Sequence, residues 1–213
     1  MRALRRITVT LVVLAGLFVA ADFGTRSLAQ AQAATSLQAA LELSKRPSVS
    51  LGGFPFLLHA IEGRLDEVVL SGANLSAGGQ DLRRVRLTLR DVGFSASALV
   101  LGRETTVRFR SSRGTAEMTG ADVTAALRRA DIDADVRLRG GLAHVSVAGL
   151  PRVRVTVGLE GNDLVLRAAD IPLPVDLRVD LSDLIPDIQC TDIHIEGAMA
   201  VLEFTVTRSR LDL

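Results

Sequence analysis

Runs such as RVRLTLR set Val85, Leu87 and Leu89 against Arg84, Arg86, Thr88 and Arg90, and this period of two constrains the fold more than any other feature. Successive side chains of a strand point to opposite faces, so strict alternation describes a sheet with one buried face and one wet face. The pattern returns in TVRFRS, with Val107 and Phe109 against Arg108 and Arg110, and in DVRLRG through Val136 and Leu138. AHVSVAG, RVRVTVGL and NDLVLRA follow at hairpin spacing, with Gly149 and Pro151 in one turn and Gly161, Asn162 and Asp163 in the next. DIHIEG and VLEFTVTR repeat the alternation around a turn at Gly197. The spacing predicts an antiparallel meander, about eight to ten strands in all. One-sided alternation excludes the doubly covered parallel sheets of nucleotide-binding folds.

Helices are few. TRSLAQAQAATSLQAALELS, from Thr25 to Ser44, has no Gly or Pro and predicts a helix ended by Pro47, with Leu28, Ala31, Ala34, Leu37 and Leu41 as its apolar stripe. A shorter helix is expected in MTGADVTAALRRAD, through Val123, Ala126, Leu127 and Ala130, with Thr119 or Asp122 as its cap. Pro172, Pro174 and Pro186 confine ADIPLPVDLRVDLSDLIPD to an edge, bend or crossover, because proline donates no ladder hydrogen bond. So much one-faced sheet must bury its apolar side on a second sheet, on itself as a barrel, or on a helix it curls around.

The first residues read as an export or anchor signal. Arg2, Arg5 and Arg6 precede a 15-residue apolar run from Ile7 to Ala21, and the first acid is Asp22. The run is shorter than the roughly 20 residues that cross a bilayer core, and Val19-Ala20-Ala21 has the small residues of a cleavage site. Adding Phe23 and snorkelling Arg6 and Arg26 gives the alternative, a retained anchor over residues 7–23. Either reading leaves the arginines cytoplasmic and exports the rest. The expected organisation is a leader or anchor at 1–24 and one domain at 25–213, in the cell envelope or periplasmic space; a chain of 213 residues has room for a single core.

A net charge of +1 with no basic tail excludes a nucleic-acid partner on electrostatic grounds. No metal, nucleophile or phosphate-binding motif is present, so neither an enzyme nor a cofactor is expected. His59, His144 and His194 are scattered, and the last two sit on the polar side of their strands. Asp131, Asp133 and Asp135 resemble a fragment of a calcium loop but lack its glycine and closing glutamate. The single cysteine, Cys190, reads as a small buried apolar side chain. The strand-face arginines Arg84, Arg86, Arg90, Arg108, Arg110, Arg137, Arg139, Arg152 and Arg154 either form a solvated face balanced by acids or a stripe that docks on anionic headgroups at a membrane surface. An outer-membrane barrel fits badly, since without Trp or Tyr there is no aromatic girdle and the outward arginines would meet lipid.

The stretch VSLGGFPFLLHAIEGRL breaks an apolar segment with Gly52, Gly53 and Pro55. It reads as a chain leaving a first strand and turning, with Phe54, Phe56, Leu57 and Leu58 either capping the core or forming the lip of a groove. With its GFPFL run, the preceding Ala/Leu helix, the alternating strands and the late IPLPVDL, the chain from about residue 25 onward resembles the LmeA-like phospholipid-binding family of actinobacterial envelope proteins. It departs from that family at His59, where Gln or a similar polar residue is usual. The resemblance implies an α+β fold of the tubular lipid-binding (TULIP) type, a strongly curved antiparallel sheet wrapped around a long N-terminal helix, with an apolar groove for acyl chains. It implies phospholipid as the ligand, no catalysis, and support of lipoglycan mannan elongation. On that reading the lipid-binding residues are Leu28, Leu37 and Leu41 of the helix, Phe54, Phe56, Leu57 and Leu58 of the turn, and Val85, Leu87, Leu89 and Phe109 of the strands. The alternative is an accessory protein that carries no lipid and serves a membrane glycosyltransferase.

Overall fold

Leader and Ala/Leu segment form one continuous helix: α1 runs from Arg2 to Ala40, and the single Gly24 between the two segments does not interrupt it. The computed structural model describes residues 2–40, 42–77, 80–95, 106–129, 133–147, 153–161, 163–168, 177–180 and 187–212. Its fold is α+β, with antiparallel sheets that curve without closing. The helix ends earlier than Ser44, and not at Pro47. Glu42 adopts a left-handed φ of 48°, the Leu43 N–H donates to the Gln38 carbonyl (2.9 Å) and the Glu42 N–H to that of Ala39 (3.3 Å). These two bonds make a Schellman stop, which satisfies the orphan carbonyls of the last turn without proline.

The first sheet is built on β1 (Ser48–Leu51), β2 (Arg64–Ala77), β3 (Gln80–Gly93), β5 (Ser111–Thr119), β12 (Met199–Val206) and β11 (Ile188–Glu196), in the order β1-β2-β3-β5-β12-β11. Two short strands, β4 (Thr106–Arg108) and β13 (Arg210–Asp212), extend it, β4 pairing with β3 and β13 with β4. The second sheet is β6 (Ala134–Arg139), β7 (Leu142–Val147), β8 (Val153–Glu160), β9 (Asp163–Ala168) and β10 (Leu177–Asp180), neighbour to neighbour, so the expected meander is present. Gly140 and Gly141, both at positive φ (61° and 76°), form the two-residue turn between β6 and β7 that matches strand twist. β10, from the proline-rich segment, ends the second sheet among the described residues, in line with the expected edge position of that segment. Leu41, Gly149, Pro151, Arg152, Asp131, Asn162, Pro172, Pro174 and Pro186 lie outside the described residues.

One predicted strand is two. TVRFRS divides because Phe109 and Arg110 leave the ladder: the Phe109 N–H bonds the Ser209 carbonyl (3.1 Å) and the Arg110 N–H the Arg90 carbonyl (3.0 Å). Phe109 is thereby turned into the core. Helix α2 (Phe56–Glu62) occupies the Gly-Pro stretch, ended by Gly63 at a left-handed φ of 69°.

The sheets are joined by helix α3 (Gly120–Arg129), which follows β5 directly and packs on β6. Its start is reciprocal: the Asp122 carboxylate accepts from the Thr119 N–H and hydroxyl (2.8 and 2.6 Å), and the Thr119 hydroxyl accepts from the Asp122 N–H (3.2 Å). Thr119 and Asp122 thus form a capping box, each satisfying the other's backbone donor. The buried Thr124 hydroxyl accepts the Val136 N–H at 2.8 Å and so ties α3 to β6.

Candidate functional site

Register places one apolar row after another across the first sheet, since directly paired residues share a face. One row runs Val49, Leu70, Leu87, Gly114, Phe204 and Cys190 from β1 to β11. A parallel row runs Gly72, Val85, Ala116, Leu202 and Ile193. On the other side of the first, Leu51, Val68 and Leu89 line up, followed by Ser112. Ser112 keeps this end of the face dry of unpaired donors: its hydroxyl accepts from the Val206 N–H at 2.7 Å.

The helices cover this face at its two ends. At one end Ala34 of α1, Phe56 of α2 and Val49, Leu51, Leu65, Leu89, Val92 and Phe109 of the surrounding strands make a packed cluster, with Ala29, Ala33 and Leu37 against it. At the other, Val123 and Leu127 of α3 pack on Val136, Leu138 and Ala143, together with Ile195 and Ala200 of the first sheet. Leu70 and Leu87 pack against the first cluster and stay half-buried, and Val85, Leu202 and Ile193, which belong to neither cluster, are half-buried as well. This middle band contains no charged side chain among its rows. Cys190, at its β11 end, is buried, and burial raises its thiol pKa, so it stays protonated and apolar.

The predicted site residues separate into three groups. Val85, Leu87 and Leu89 share the face as alternation required, and Leu37 meets it from α1. Phe56 and Phe109 sit in the packed cluster, 4% and 5% exposed, and Leu57 is half-buried. Leu28, Phe54 and Leu58 point outward, at 73%, 60% and 52% exposure. Leu28 is therefore a correction to the predicted stripe: at 3.6 residues per turn it lies about 120° round the helix from Ala34. The covered face of α1 is instead Ala29, Ala33, Ala34 and Leu37.

The arginine side of the same sheet is balanced by acids. Arg84 pairs with Glu117 across β3 and β5 at 2.8 Å, Arg90 with Glu67 at 3.8 Å, and Arg110 with Asp91 at 3.1 Å. On β6 of the second sheet Arg137 reaches Asp135 at 3.7 Å, and just past the ends of β12 and β11 Arg208 reaches Asp187 at 2.7 Å. Pairs this exposed contribute about 0–1 kcal/mol each; what they provide is a wet outer face of mixed sign. His194 lies outside too, its Nδ1 2.9 Å from Asp192. Among the described residues, no group of three His, Cys, Asp or Glu is placed to hold a metal.

Sequence reasoning missed Asp22. Its side chain is 2% exposed and accepts the Leu57 N–H at 2.7 Å, across 35 residues of chain. Pro55 precedes α2 and has no side-chain donor or acceptor for its first turn, so the carboxylate of α1 serves as the cap from a distance. The only sequence signal was an acid at the end of an apolar run. Asp22→Ala should cost about 1–2 kcal/mol through the lost cap, and hydrogen exchange at Leu57 should accelerate more than at the α3 amides.

The first sheet is thus curved and open, with one continuous apolar face that the helices cover at its two ends and that is partly exposed in its middle. The family model for LmeA-like phospholipid-binding proteins matches residues 20–208, so the chain belongs to that family. The family is a lipid-binding one and not a known family of enzymes. No curated protein and no solved structure matches the chain.

Proposed function

We propose that this protein is an exported cell-envelope carrier that holds phospholipid acyl chains against the half-covered band of its first sheet. The observation that carries the reading is the pair of rows through Leu87 and Val85, apolar across the sheet to β11, in which Leu70, Leu87, Val85, Leu202 and Ile193 stay half-buried beside the buried Phe204, Ala116 and Cys190. Each methylene withdrawn from water there contributes about 0.8 kcal/mol, so about eight contribute about 6 kcal/mol without any catalytic group. Transfer between membranes, or support of lipoglycan elongation, is the use this reading assigns; the family match supports the phospholipid binding on which either use depends. Placement outside the inner membrane is supported by the basic, apolar N-terminal segment.

Native mass spectrometry of the full chain, purified without added lipid from its own host, tests the reading. Co-purified phospholipid is the expected result; a protein free of lipid, and unable to take it up from vesicles, would overturn it. Val85 belongs to neither packed cluster, so Val85→Asp should abolish retained lipid in a chain that circular dichroism shows to be folded, at a cost in Tm for the charge it places on an apolar face. Lipid retained in that variant would place the binding surface elsewhere.

A further inference from the structure

The outer surface around α2 is unusually apolar. Phe54, Leu58 and Ile61 are 60%, 52% and 76% exposed, while Phe56 on the opposite side of the helix is buried in the core. Leu58 and Ile61 are three residues apart and share a face, and Phe54 stands just before the N-terminal cap position, Pro55. On α1, Val13, Leu14, Leu17, Phe18, Val19 and Phe23 are exposed as well. They do not form a stripe: at about 100° per residue, Val13, Phe18 and Val19 already point in three different directions. A helix that is apolar all round needs an apolar medium, whereas a partner protein or a second copy would cover one side. The buried Asp22 holds the first turn of α2 at the point where this apolar segment of α1 ends.

We propose that the face formed by Phe54, Leu58 and Ile61 inserts into a lipid bilayer leaflet beside the apolar segment of α1, so that α2 is a membrane-docking wedge. The proposal deepens the lipid-carrier reading by naming the surface that meets the bilayer. Among the described residues no helix is long and apolar enough to cross a membrane, and the wedge requires no crossing. Amphipathic faces of this kind settle about 5–10 Å deep, at the boundary between headgroups and acyl chains. Glu62 and Arg64, exposed at the end of α2, would remain in the headgroup layer. A carrier docked this way brings the α1 and α2 end of its apolar face to the leaflet, since Phe56 of the same helix belongs to the cluster that closes that end.

The chain has no Trp or Tyr, so Ile61→Trp creates a sole fluorescent reporter. The full chain carrying it is reconstituted with vesicles of phosphatidylethanolamine and phosphatidylglycerol, with and without brominated acyl chains. Blue-shifted emission, quenched most by bromines near the carbonyl end of the chain, is expected. Water-like emission overturns the proposal, and so does blue-shifted emission that brominated lipid leaves unquenched, which would point to a protein partner or a second copy. Repeating the measurement with Val85→Asp separates bilayer lipid from carried lipid. Quenching that survives loss of the carried lipid supports insertion; quenching that vanishes with it overturns insertion. Carried lipid with an unquenched reporter removes the wedge and leaves the carrier reading standing.

Discussion

Gly120→Val should be among the most damaging single substitutions in the chain. Gly120 opens α3, and a β-carbon there would lie 2.5 Å from the Val136 carbonyl oxygen, 3.2 Å from the Leu138 nitrogen and 3.3 Å from the Arg137 Cα. All three are backbone atoms of β6, so no rotamer change relieves the collision; α3 must lift from the second sheet. Lifting it strains the Thr124 bond to Val136 and unpacks Val123 and Leu127, the contacts that close one end of the apolar face. Alanine should cost about 2–3 kcal/mol, in the upper range of overpacking, and valine more; for a domain of this size 2–3 kcal/mol lowers Tm by about 5–10 °C. Gly158→Ala on β8, where a β-carbon meets nothing within 4 Å, is the matched control and should leave Tm nearly unchanged. Equal effects at the two positions in thermal melts would refute the close-packed joint.

That joint was only half legible in the sequence. The helix and its Thr119–Asp122 start could be read from local chemistry, because a capping box is complete within four residues. The close approach of Gly120 to β6 depends on a partner sixteen residues on and leaves no local trace. The same distinction runs through the candidate site. Val85, Leu87 and Leu89 were visible since their neighbours alternate, and pairing preserves that alternation across the sheet. Val68 and Leu70 lie in DEVVLSGANL, where consecutive apolar residues hide the period. β5, with the sequence SSRGTAEMT, has almost no apolar signal at all. Its place in the sheet is paid for by neighbours, Phe204 above all. Phe54 and Phe56 show the limit most plainly: two phenylalanines two residues apart, one outside and one in the core, are sorted by a helix whose first turn is capped from Asp22. No local pattern contains that bond.

The second large effect is expected at Gly114 and Phe204, which face each other across β5 and β12. A β-carbon on Gly114 would fall 2.2 Å from Cζ and 2.8 Å from Cδ2 of the Phe204 ring, so the ring lies flat over the glycine. Phe204 is 7% exposed and occupies the row through Leu70 and Leu87, where it serves as floor to the band proposed to hold acyl chains. Phe204→Ala should cost about 3–5 kcal/mol, from lost burial and an uncollapsed cavity. Gly114→Ala should cost about 1–3 kcal/mol, because the ring must leave its place before the methyl fits. The two costs should not add. With the ring already removed, the methyl at position 114 meets open space and fills part of it, so the double variant should be more stable than the sum of the singles by at least about 1 kcal/mol. Urea denaturation of the four proteins measures this coupling directly, and additive costs would show that ring and glycine are not in contact. The same four proteins examined for bound phospholipid separate floor from frame: if the band carries lipid, Gly114→Ala, which displaces the ring into the band, should reduce retained lipid further than a control of equal stability loss, such as Asp22→Ala, which leaves the band untouched.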